Sequence, residues 1–238
     1  MKREHAIRGV SGAVMEGSWT GIAYMDGDRV GSDRIHEVCL RLGREGETLH
    51  FDYTGSSPQV DAAVNCTLPA TVAGSAVPLF SFLCQGDIDW NEGLRRCLKI
   101  TAPEGTVVNA QPPAPVVGRN AITHTIVNAL MMALSQAVPA RITAAYYGMS
   151  NVHILSGDGS GDHESWIFFD IEVGGGGARQ NKDGLDCYSQ GIHNLANTPI
   201  EMIETTYPLR LKRYEFIPDT GGVGRPRGGL GGRARRQV

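Results

Sequence analysis

The residues best able to form a binding site lie at 173–186, where the sequence reads VGGGGARQNKDGLD. Glycine permits backbone conformations and close approaches that other residues do not, and charges beside it are typical of binding loops. Arg179 could hold a carbonyl or carboxylate oxygen by paired hydrogen bonds, and Asp183 could orient a water molecule. The same composition is also typical of a tightly packed turn. Both interpretations stay open at this point.

Known glycine motifs narrow the chemistry of this run. It lacks the GK[ST] ending of a phosphate-binding P-loop and the spacing of a dinucleotide fingerprint, so we expect no nucleotide to bind here. Asp183 and Asp186 flank Gly184 and could form a carboxylate pair, but KDGLD is equally compatible with a plain β-turn. A sharp strand exit or a close backbone approach is favoured over direct ligand contact.

Metal ligands and nucleophiles are not indicated by the sequence. The seven histidines form neither HxxxH nor HExxH, and the five cysteines form no CxxC pair. No GxSxG nucleophile elbow is present. We therefore expect this chain to bind no metal and no cofactor, and its cysteines to be reduced and mostly buried.

Composition predicts a soluble globular protein. Of the 238 residues, 41% are hydrophobic and 20% charged, and the net charge is −3. No apolar run approaches the roughly 20 residues that cross a bilayer, and the first residues contain no apolar signal core, so we expect a cytoplasmic protein. The final segment RPRGGLGGRARRQV is arginine-rich but has no interleaved aromatic residue, which favours a solvated or partner-docking end over nucleic-acid binding.

Periodicity predicts the elements of the first half. Alternating apolar residues indicate a hairpin of Ile35–Leu42 with Thr48–Tyr53. The small, apolar run at 60–84 indicates one or two buried helices rather than a continuous one, because Pro69 and Pro78 divide it and an interior proline costs about 3 kcal/mol.

Composition and periodicity also predict the elements of the second half. A helix is predicted to begin with Asn120 as its N-cap and to end before Pro139. Ser165–Val173 has apolar residues on both faces, which predicts a central strand covered on both sides. Thr198 to Glu201 fits a capping box with proline at the first helical position, and 209–217 is predicted to be the last strand.

Two segments are predicted to be irregular, the loop or ragged hairpin at 16–28 and the glycine- and arginine-rich tail at 219–232. With the strands, hairpins and few buried helices above, these predict a mixed α/β (α+β) fold. We expect residues 1–238 to form one domain.

Five phrases, taken together and in order, resemble the hydantoinase B/oxoprolinase family. They cover the chain from about Gly17 to Gly232 and are DYTGSSPQVDAAVN, VNAQPPAPVVGRN, EVGGGGARQNKDGLD, NTPIEMIETTYPLRLKRYEF and DTGGVGRPRGGLGG.

The resemblance implies a component of ATP-dependent enzymes that open cyclic amides such as hydantoins and 5-oxoproline. ATP is expected on a separate A-type subunit with an actin-like fold, while the B-type part contributes the substrate side of the chamber. Related members are ketone carboxylases, which leaves ATP-dependent carboxylation as an alternative. A non-catalytic structural subunit or a truncated remnant is a third possibility.

The resemblance also implies that the chain is a C-terminal portion of a B-type subunit. The family's N-terminal half, which carries the metal-binding histidine and aspartate residues of the carboxylase branch, and the last strands are expected to be missing. The isolated chain is therefore expected to be inactive. Six residues are our candidates for lining or supporting the shared chamber: Asp52, Asn120, Arg179, Asp183, Glu201 and Glu204. Glu201 has a simpler explanation as the reciprocal cap of its own helix.

Overall fold

The computed structural model of the chain describes residues 12–83, 92–159, 164–193 and 195–238, so most of the N-terminal segment inspected for a signal core lies outside it. The fold is mixed α+β, as the sequence predicts. Its contacts divide into two compact units, Met1–Gly148 and Met149–Val238, and each is described by itself. That residues 1–238 are one domain of the family stays a prediction.

A four-stranded sheet forms one layer of the first unit. Its strands lie in chain order and are β1 (Gly17–Asp26), β2 (Ile35–Glu45), β3 (Thr48–Asp52) and β4 (Leu98–Thr101). The first three are antiparallel neighbours, and β4 joins β3 in parallel. The predicted hairpin is therefore confirmed as β2 and β3.

The prediction of a loop or ragged hairpin near the N-terminus was wrong. Every residue of β1 has a partner in β2, from Gly17 opposite Arg44 to Asp26 opposite Ile35. Pairing with a strongly hydrophobic neighbour outweighs the turn-forming composition of this segment, because β-strand preference depends largely on packing context.

The first unit contains three helices, and the longest covers one face of the sheet. They are α1 (Leu68–Leu83), the single turn α2 (Glu92–Arg95) and α3 (Asn120–Ala137). The apolar stripe of α3 contacts β1 and β2, and α1 packs against α3. A Cβ at Gly21 would lie 1.8 Å from Ala129 O, so β1 and α3 meet backbone to backbone.

Two details of these helices differ from prediction. Pro78 lies inside one continuous helix, because burial of α1 offsets the lost hydrogen bond. This burial is tight: a Cβ at Gly74, one turn earlier, would be 2.9 Å from Thr123 Cγ2 in α3. Asn120 is the first residue of α3 and not its cap. Arg119 occupies the cap position, and its side chain makes no capping hydrogen bond among the described residues.

The second unit consists of two ribbons and a short helix. The elements are β5 (Asn151–Gly157), β6 (Trp166–Glu172), α4 (Ile200–Thr206), β7 (Arg210–Phe216) and β8 (Gly232–Gln237). Antiparallel pairing joins β5 to β6 and β7 to β8.

The small core of this unit contains Phe168, Ile203 and Leu209, with Leu155, Trp166 and Tyr207 packed around it.

The prediction that 165–173 is a central strand covered on both sides was wrong. Strand β6 belongs to a two-stranded ribbon, and among the described residues only one of its faces is packed. On the other face Ile154, Ile167 and Phe169 are 64%, 68% and 57% exposed. Apolar residues on both faces of a strand therefore do not show that the chain itself covers both.

The C-terminal half contains three further differences. Strand β5 was not predicted. The arginine-rich end, expected to be irregular or docking, pairs as β8 with β7, the predicted last strand. The capping box is not formed, because the helix begins at Ile200 with Pro199 at the cap position and no side-chain cap hydrogen bond within the described chain.

Candidate functional site

The glycine run lies where three chain segments cross with their backbones in contact. A Cβ at Gly175 would lie 1.9 Å from Gly229 O, and one at Gly184 would lie 2.1 Å from Gly176 O. A Cβ at Gly229 would lie 1.9 Å from Leu185 O. Real side chains cannot be placed at such distances, so the glycines are required by close packing. We call residues 174–177, 184–185 and 228–229 the glycine crossing.

Hydrogen bonds join the three segments of the glycine crossing. Gly176 N donates to Leu185 O at 2.8 Å, and Gly229 N donates to Gly176 O at 2.9 Å. Gly177 N donates to the Gln190 side-chain oxygen at 3.0 Å. A phosphate cradle needs N–H groups that are available to the ligand, and these three already have acceptors. The interpretation as a close backbone approach is therefore confirmed.

Asp183 and Asp186 both bind the segment that precedes β8. Asp183 Oδ1 accepts from Arg227 N at 2.8 Å, and Asp186 Oδ1 accepts from Leu230 N at 2.7 Å and from Arg227 Nη1 at 3.1 Å. The Leu230 N–H, and then the Arg227 guanidinium, hold the pKa of Asp186 below its usual value. The two carboxylates therefore anchor the C-terminal segment onto the glycine crossing.

The turn in this stretch lies earlier than KDGLD. Backbone hydrogen bonds connect Arg179 and Lys182 in both directions, at 2.8 and 3.4 Å. Residues 183–185 have no regular secondary structure, and the Arg227 carbonyl accepts from Gly184 N at 2.8 Å. The interpretation of KDGLD as the turn was therefore wrong in position, because the hydrogen-bonded turn is formed by 179–182 and the Gly184 amide bonds to a distant segment.

A cavity of about 400 Å³ is bordered by the chain that follows the glycine crossing. One wall is β6 at 169–171 together with Val173, the second is 187–189, and the third is His193 with 195–198. A volume of this size is within the range of small-molecule sites, which is about 300–1,000 Å³. We refer to it as the glycine-side cavity.

The polar groups of this cavity are largely neutral. His193 Nδ1 lies 3.1 Å from Ser150 Oγ, and burial lowers the pKa of His193, so its imidazole is uncharged at neutral pH. Ser189 Oγ is buried and has no hydrogen-bond partner among the described residues. Asn197 and Thr198 add an amide and a hydroxyl. The lining also includes the Asp170 carboxylate, which is paired with Arg236. The His193 imidazole, the Asn197 amide and the Thr198 hydroxyl can hydrogen-bond an uncharged polar ligand.

Cys187 borders the same cavity but is not an activated nucleophile. Burial raises the pKa of its thiol, and the nearby charges of Asp186 and Glu172 raise it further. A thiol with a raised pKa is mostly protonated, and the thiolate is the reactive form. Cys187 therefore borders the cavity as a neutral thiol.

Two of the six predicted site residues, Asp52 and Asn120, lie in the first unit. Asp52 Oδ2 is 2.6 Å from Arg41 Nη2, and its Oδ1 accepts from Thr54 N at 3.0 Å. Hydrogen bonding to Thr54, with a smaller effect of Arg41, lowers the Asp52 pKa, so this carboxylate is ionised. Asn120 is exposed at the start of α3.

The other four predicted site residues lie in the second unit and are exposed. Glu201 and Glu204 belong to α4, and Glu204 Oε1 accepts from Leu211 N at 2.8 Å. Arg179 and Asp183 belong to the segment beside the glycine crossing. None of the six predicted residues lines the glycine-side cavity. Their role in an active site stays a prediction.

Sequence reasoning selected the stretch that forms the glycine crossing but not the residues that line the cavity beside it. Ser189, His193 and Asn197 lie between the glycine run and α4, in a segment without strong hydrophobic periodicity. The sequence did contain a signal for these residues. A polar segment between the glycine crossing and a helix must run along the packed elements beside it, so some of its side chains are expected to face a cavity. The sequence alone does not specify which of its side chains point inward.

The described residues do not fit a metal centre. No group of three or more His, Cys, Asp and Glu side chains lies close enough together to hold an ion within the parts of the chain that the structure describes. Asp28 and His36 come near each other, with 3.3 Å between Asp28 Oδ2 and His36 Nε2, but they are only two ligands. The absence of a metal site from the whole chain stays a prediction.

A helix that crosses a lipid bilayer must be both long and apolar. Within the described ranges, no helix combines the two properties to the extent that crossing requires.

The profile of the family described as hydantoinase B/oxoprolinase matches residues 2–238. The chain belongs to this family. The phrases that carry the resemblance therefore identified it correctly.

Named relatives agree with the family assignment. The provisionally named B component of a D-/L-hydantoinase from Pseudomonas sp. (strain NS671) is 34% identical over 96% of this chain and 40% of its own length. The beta component of the caprolactamase of Pseudomonas jessenii is 30% identical over 92% of this chain and 38% of its own length. The chain thus spans about two fifths of the length of these relatives.

Solved structures share the fold. The ATP-dependent caprolactamase from Pseudomonas jessenii matches 99% of this chain and 42% of its own, with a TM-score of 0.81 and 27% identity. An acetone carboxylase in its nucleotide-free form matches with a TM-score of 0.79 at 20% identity, a likeness of fold alone.

Proposed function

We propose that this chain forms part of the B-type subunit of an ATP-dependent hydrolase that opens cyclic amides of the hydantoin, 5-oxoproline or lactam type. The glycine-side cavity contributes to the substrate side of the active site. ATP is held by an A-type subunit, and a divalent metal ion is bound elsewhere in the complex. The assembly works in the cytoplasm without a nucleic-acid or membrane partner.

One observation carries the proposal: in a member of this family, the chain that follows the glycine crossing borders a cavity whose polar lining is uncharged except for the Asp170 carboxylate, which is paired with Arg236. A cyclic amide is uncharged at the reacting bond, with one acceptor and one donor. The Asn197 amide, the Thr198 hydroxyl and the neutral His193 imidazole match such a group, and the Asp170 carboxylate is already paired with Arg236. An anionic triphosphate would meet no available N–H cradle at the glycine crossing.

Dependence on a complex is supported by the exposed face of the β5–β6 ribbon. Ile154, Ile167 and Phe169 share that face, and Phe169 also borders the cavity. Contiguous exposed apolar residues are typical of protein interfaces. We propose that the rest of a B-type subunit or its A-type partner covers this face and closes the cavity, so the isolated chain is inactive.

The decisive experiment is reconstitution of the complex. The chain is combined with an N-terminal B-type region and an A-type subunit, and ADP release is measured together with ring opening of hydantoin, 5-oxoproline and caprolactam. We expect ring opening only in the complete mixture. Ring opening by ATP and the purified chain alone would contradict dependence on a complex.

The same assay separates the alternatives. Consumption of bicarbonate and a ketone in place of ring opening would identify a ketone carboxylase. Stable assembly without either reaction would favour a structural subunit or a remnant.

A pair of variants tests the cavity itself. His193→Ala removes a neutral polar group, and loss of one such hydrogen bond should lower kcat/KM for ring opening about 3- to 10-fold. Val223→Ala is the control, because Val223 is fully exposed and does not line the cavity. Equal activity of the two variants would show that the glycine-side cavity is not part of the active site.

A further inference from the structure

The β7–β8 ribbon carries four arginines on one of its two faces. Six side chains share that face as three opposed pairs, all of them exposed: Arg210 with Gln237, Arg213 with Arg235, and Glu215 with Arg233. The other face of the ribbon adjoins β6 and α4 through residues such as Leu211 and Arg236. We call the six exposed residues the arginine face.

Positive charge is concentrated on the arginine face and not spread over the second unit. Its four arginines and one glutamate give it a net charge of +3. Residues 149–238 contain ten Lys and Arg against eleven Asp and Glu, a net charge of −1, so the rest of the unit carries −4. Lys212, the extra residue at the bulge between Leu211 and Arg213, is also exposed and adds a further positive charge beside the arginine face.

Glu215 shows how a carboxylate binds on this face. Its Oε1 accepts from Arg213 Nη1 at 3.2 Å and from Arg233 Nη1 at 3.1 Å, so one carboxylate bridges an arginine of each strand. Arg210 and Arg235 form no ion pair with any residue that the structure describes. Arg235 also lies directly opposite Arg213, and like charges in that position destabilise a ribbon. A carboxylate supplied from outside would therefore relieve a repulsion within the ribbon.

The composition of the arginine face distinguishes three classes of anionic partner. The face has no aromatic side chain on which a nucleic-acid base could stack, and no apolar side chain that could enter a lipid surface. Tyr214 and Phe216 alternate onto the other face of the ribbon. Guanidinium groups match the planar geometry of carboxylates, as the contacts of Glu215 illustrate. A protein segment rich in Asp and Glu therefore fits this face best.

We propose that the arginine face docks an acidic segment of a partner protein, whose carboxylates bind Arg210 and Arg235. Alternate residues of a strand are about 6.5 Å apart, so the arginines of β8 have the same spacing as alternate side chains of an extended acidic segment. The proposal does not depend on the hydrolase function above, because it concerns a surface of this chain and is measured without ATP or the complex.

The probe for this surface is a fluorescein-labelled octaglutamate peptide. Its binding to the 238-residue chain is followed by fluorescence anisotropy at pH 7. We expect a Kd on the order of 0.1 mM at about 20 mM NaCl, and binding at least about 5-fold weaker at about 0.2 M NaCl, because salt screens exposed charges. A labelled octapeptide of alternating Gly and Ser should not bind at the same concentrations.

Charge-reversal variants locate the binding. Arg235→Glu places a carboxylate opposite Arg213 and should weaken octaglutamate binding at least about 10-fold. Arg225→Glu is the matched control, because Arg225 is an exposed arginine of the same unit that lies outside the ribbon, and its reversal changes the net charge equally. Arg210→Glu, opposite the neutral Gln237, should also weaken binding.

Three results would overturn the proposal. They are no binding of octaglutamate by the chain at about 1 mM in low salt, an equal loss of binding in Arg235→Glu and Arg225→Glu, and binding of labelled octathymidylate at least as tight as that of octaglutamate. The second result would mean that binding reflects overall charge, and the third that the face recognises phosphates. Should Arg235→Glu unfold, the comparison of Arg210→Glu with Arg225→Glu still decides.

Discussion

The glycine crossing predicts a sharp difference between two glycines of the same C-terminal segment. Gly229→Ala places a methyl group where Leu185 O lies 1.9 Å away, whereas the nearest atom to a Cβ at Gly222 is 3.9 Å away. Neither glycine has a positive φ, so the backbone itself accepts alanine at both positions. The two substitutions therefore differ in packing alone.

The size of the destabilisation depends on how far the segments of the glycine crossing must move apart. An ordinary carbon–oxygen contact is over 3 Å, so Gly229→Ala has to move the segments apart by more than 1 Å. The bonds Gly176 N to Leu185 O and Gly229 N to Gly176 O would be lost or stretched, at about 1 kcal/mol each. Overpacking adds about 1–3 kcal/mol. We expect Gly229→Ala to destabilise the second unit by roughly 3–5 kcal/mol, and Gly222→Ala by less than about 1 kcal/mol.

Hydrogen exchange is the appropriate assay, because it resolves the opening of one unit of a chain. Mass spectrometry of peptides covering 174–190 and 227–232 should show faster exchange in Gly229→Ala than in the parent chain. Peptides from β2 and α3 in the first unit should remain protected and serve as the internal control.

Two outcomes would refute this account of the glycine crossing. One is parent-like protection of residues 174–190 in Gly229→Ala. The other is an equal loss of protection in Gly222→Ala, which would show that the segment responds to any added methyl group and not to the 1.9 Å contact.

Three further predictions concern charges and thiols of the second unit. The lowered pKa of Asp186 means that its contribution to stability is present above the unfolded pKa near 3.9 and is lost as pH falls through the lower folded value. Asp186→Asn, which keeps an acceptor for Leu230 N but no longer titrates, should therefore flatten the fall in urea stability on acidification; an unchanged pH dependence would contradict this. Cys187 should react with iodoacetamide at pH 8 more slowly than glutathione, since burial raises its pKa; an equal rate would contradict this. Arg235→Glu should stabilise the β7–β8 ribbon by about 0.2–1 kcal/mol, less at high salt, because Arg213 and Arg235 are directly opposite; a lower unfolding midpoint would count against it.

Elements with strong periodicity could be predicted from the sequence. The β2–β3 hairpin and α3 form as expected, since alternation and a 3.6-residue stripe specify both the element and its buried face. Caps were predicted less well. Asn120 and the Thr198–Glu201 motif both have capping composition, but neither supplies a side-chain cap to the helix that begins there.

Segments governed by tertiary contacts could not be predicted. Strand β1 forms from turn-like residues because β2 and α3 lie against it, and β8 forms from an arginine- and glycine-rich end because β7 is available to pair with it. Pro78 is tolerated inside α1 for the same reason. In each case the deciding partner is distant in sequence, where local composition carries no information.

The charged residues selected from the sequence are not the ones that line the glycine-side cavity. Asp183 was selected because a carboxylate beside glycine is typical of a binding loop, yet its carboxylate is used to hold Arg227 N. The glycines of the crossing have no side chains that could bond to the neighbouring segment. The carboxylates of Asp183 and Asp186 supply these hydrogen bonds instead. The cavity is lined instead by Asp170, which Arg236 already holds, and by uncharged residues that follow the crossing, such as His193 and Asn197.

The glycine-side cavity shares a wall with a smaller cavity of about 190 Å³. Asp170, Asn197 and Thr198 border both of them, so the strand β6 and the segment at 195–198 form a partition. Asp170 is held by Arg236 on one side, while the glycine crossing fixes the chain that leads to 187–189 on the other. A wall held from both sides keeps its position, so loss of one of the two attachments should loosen it. Arg236→Ala removes the partner of Asp170 and Glu172 and is therefore expected to increase hydrogen exchange of the 195–198 amides, and unchanged exchange there would show that Arg236 does not hold the partition.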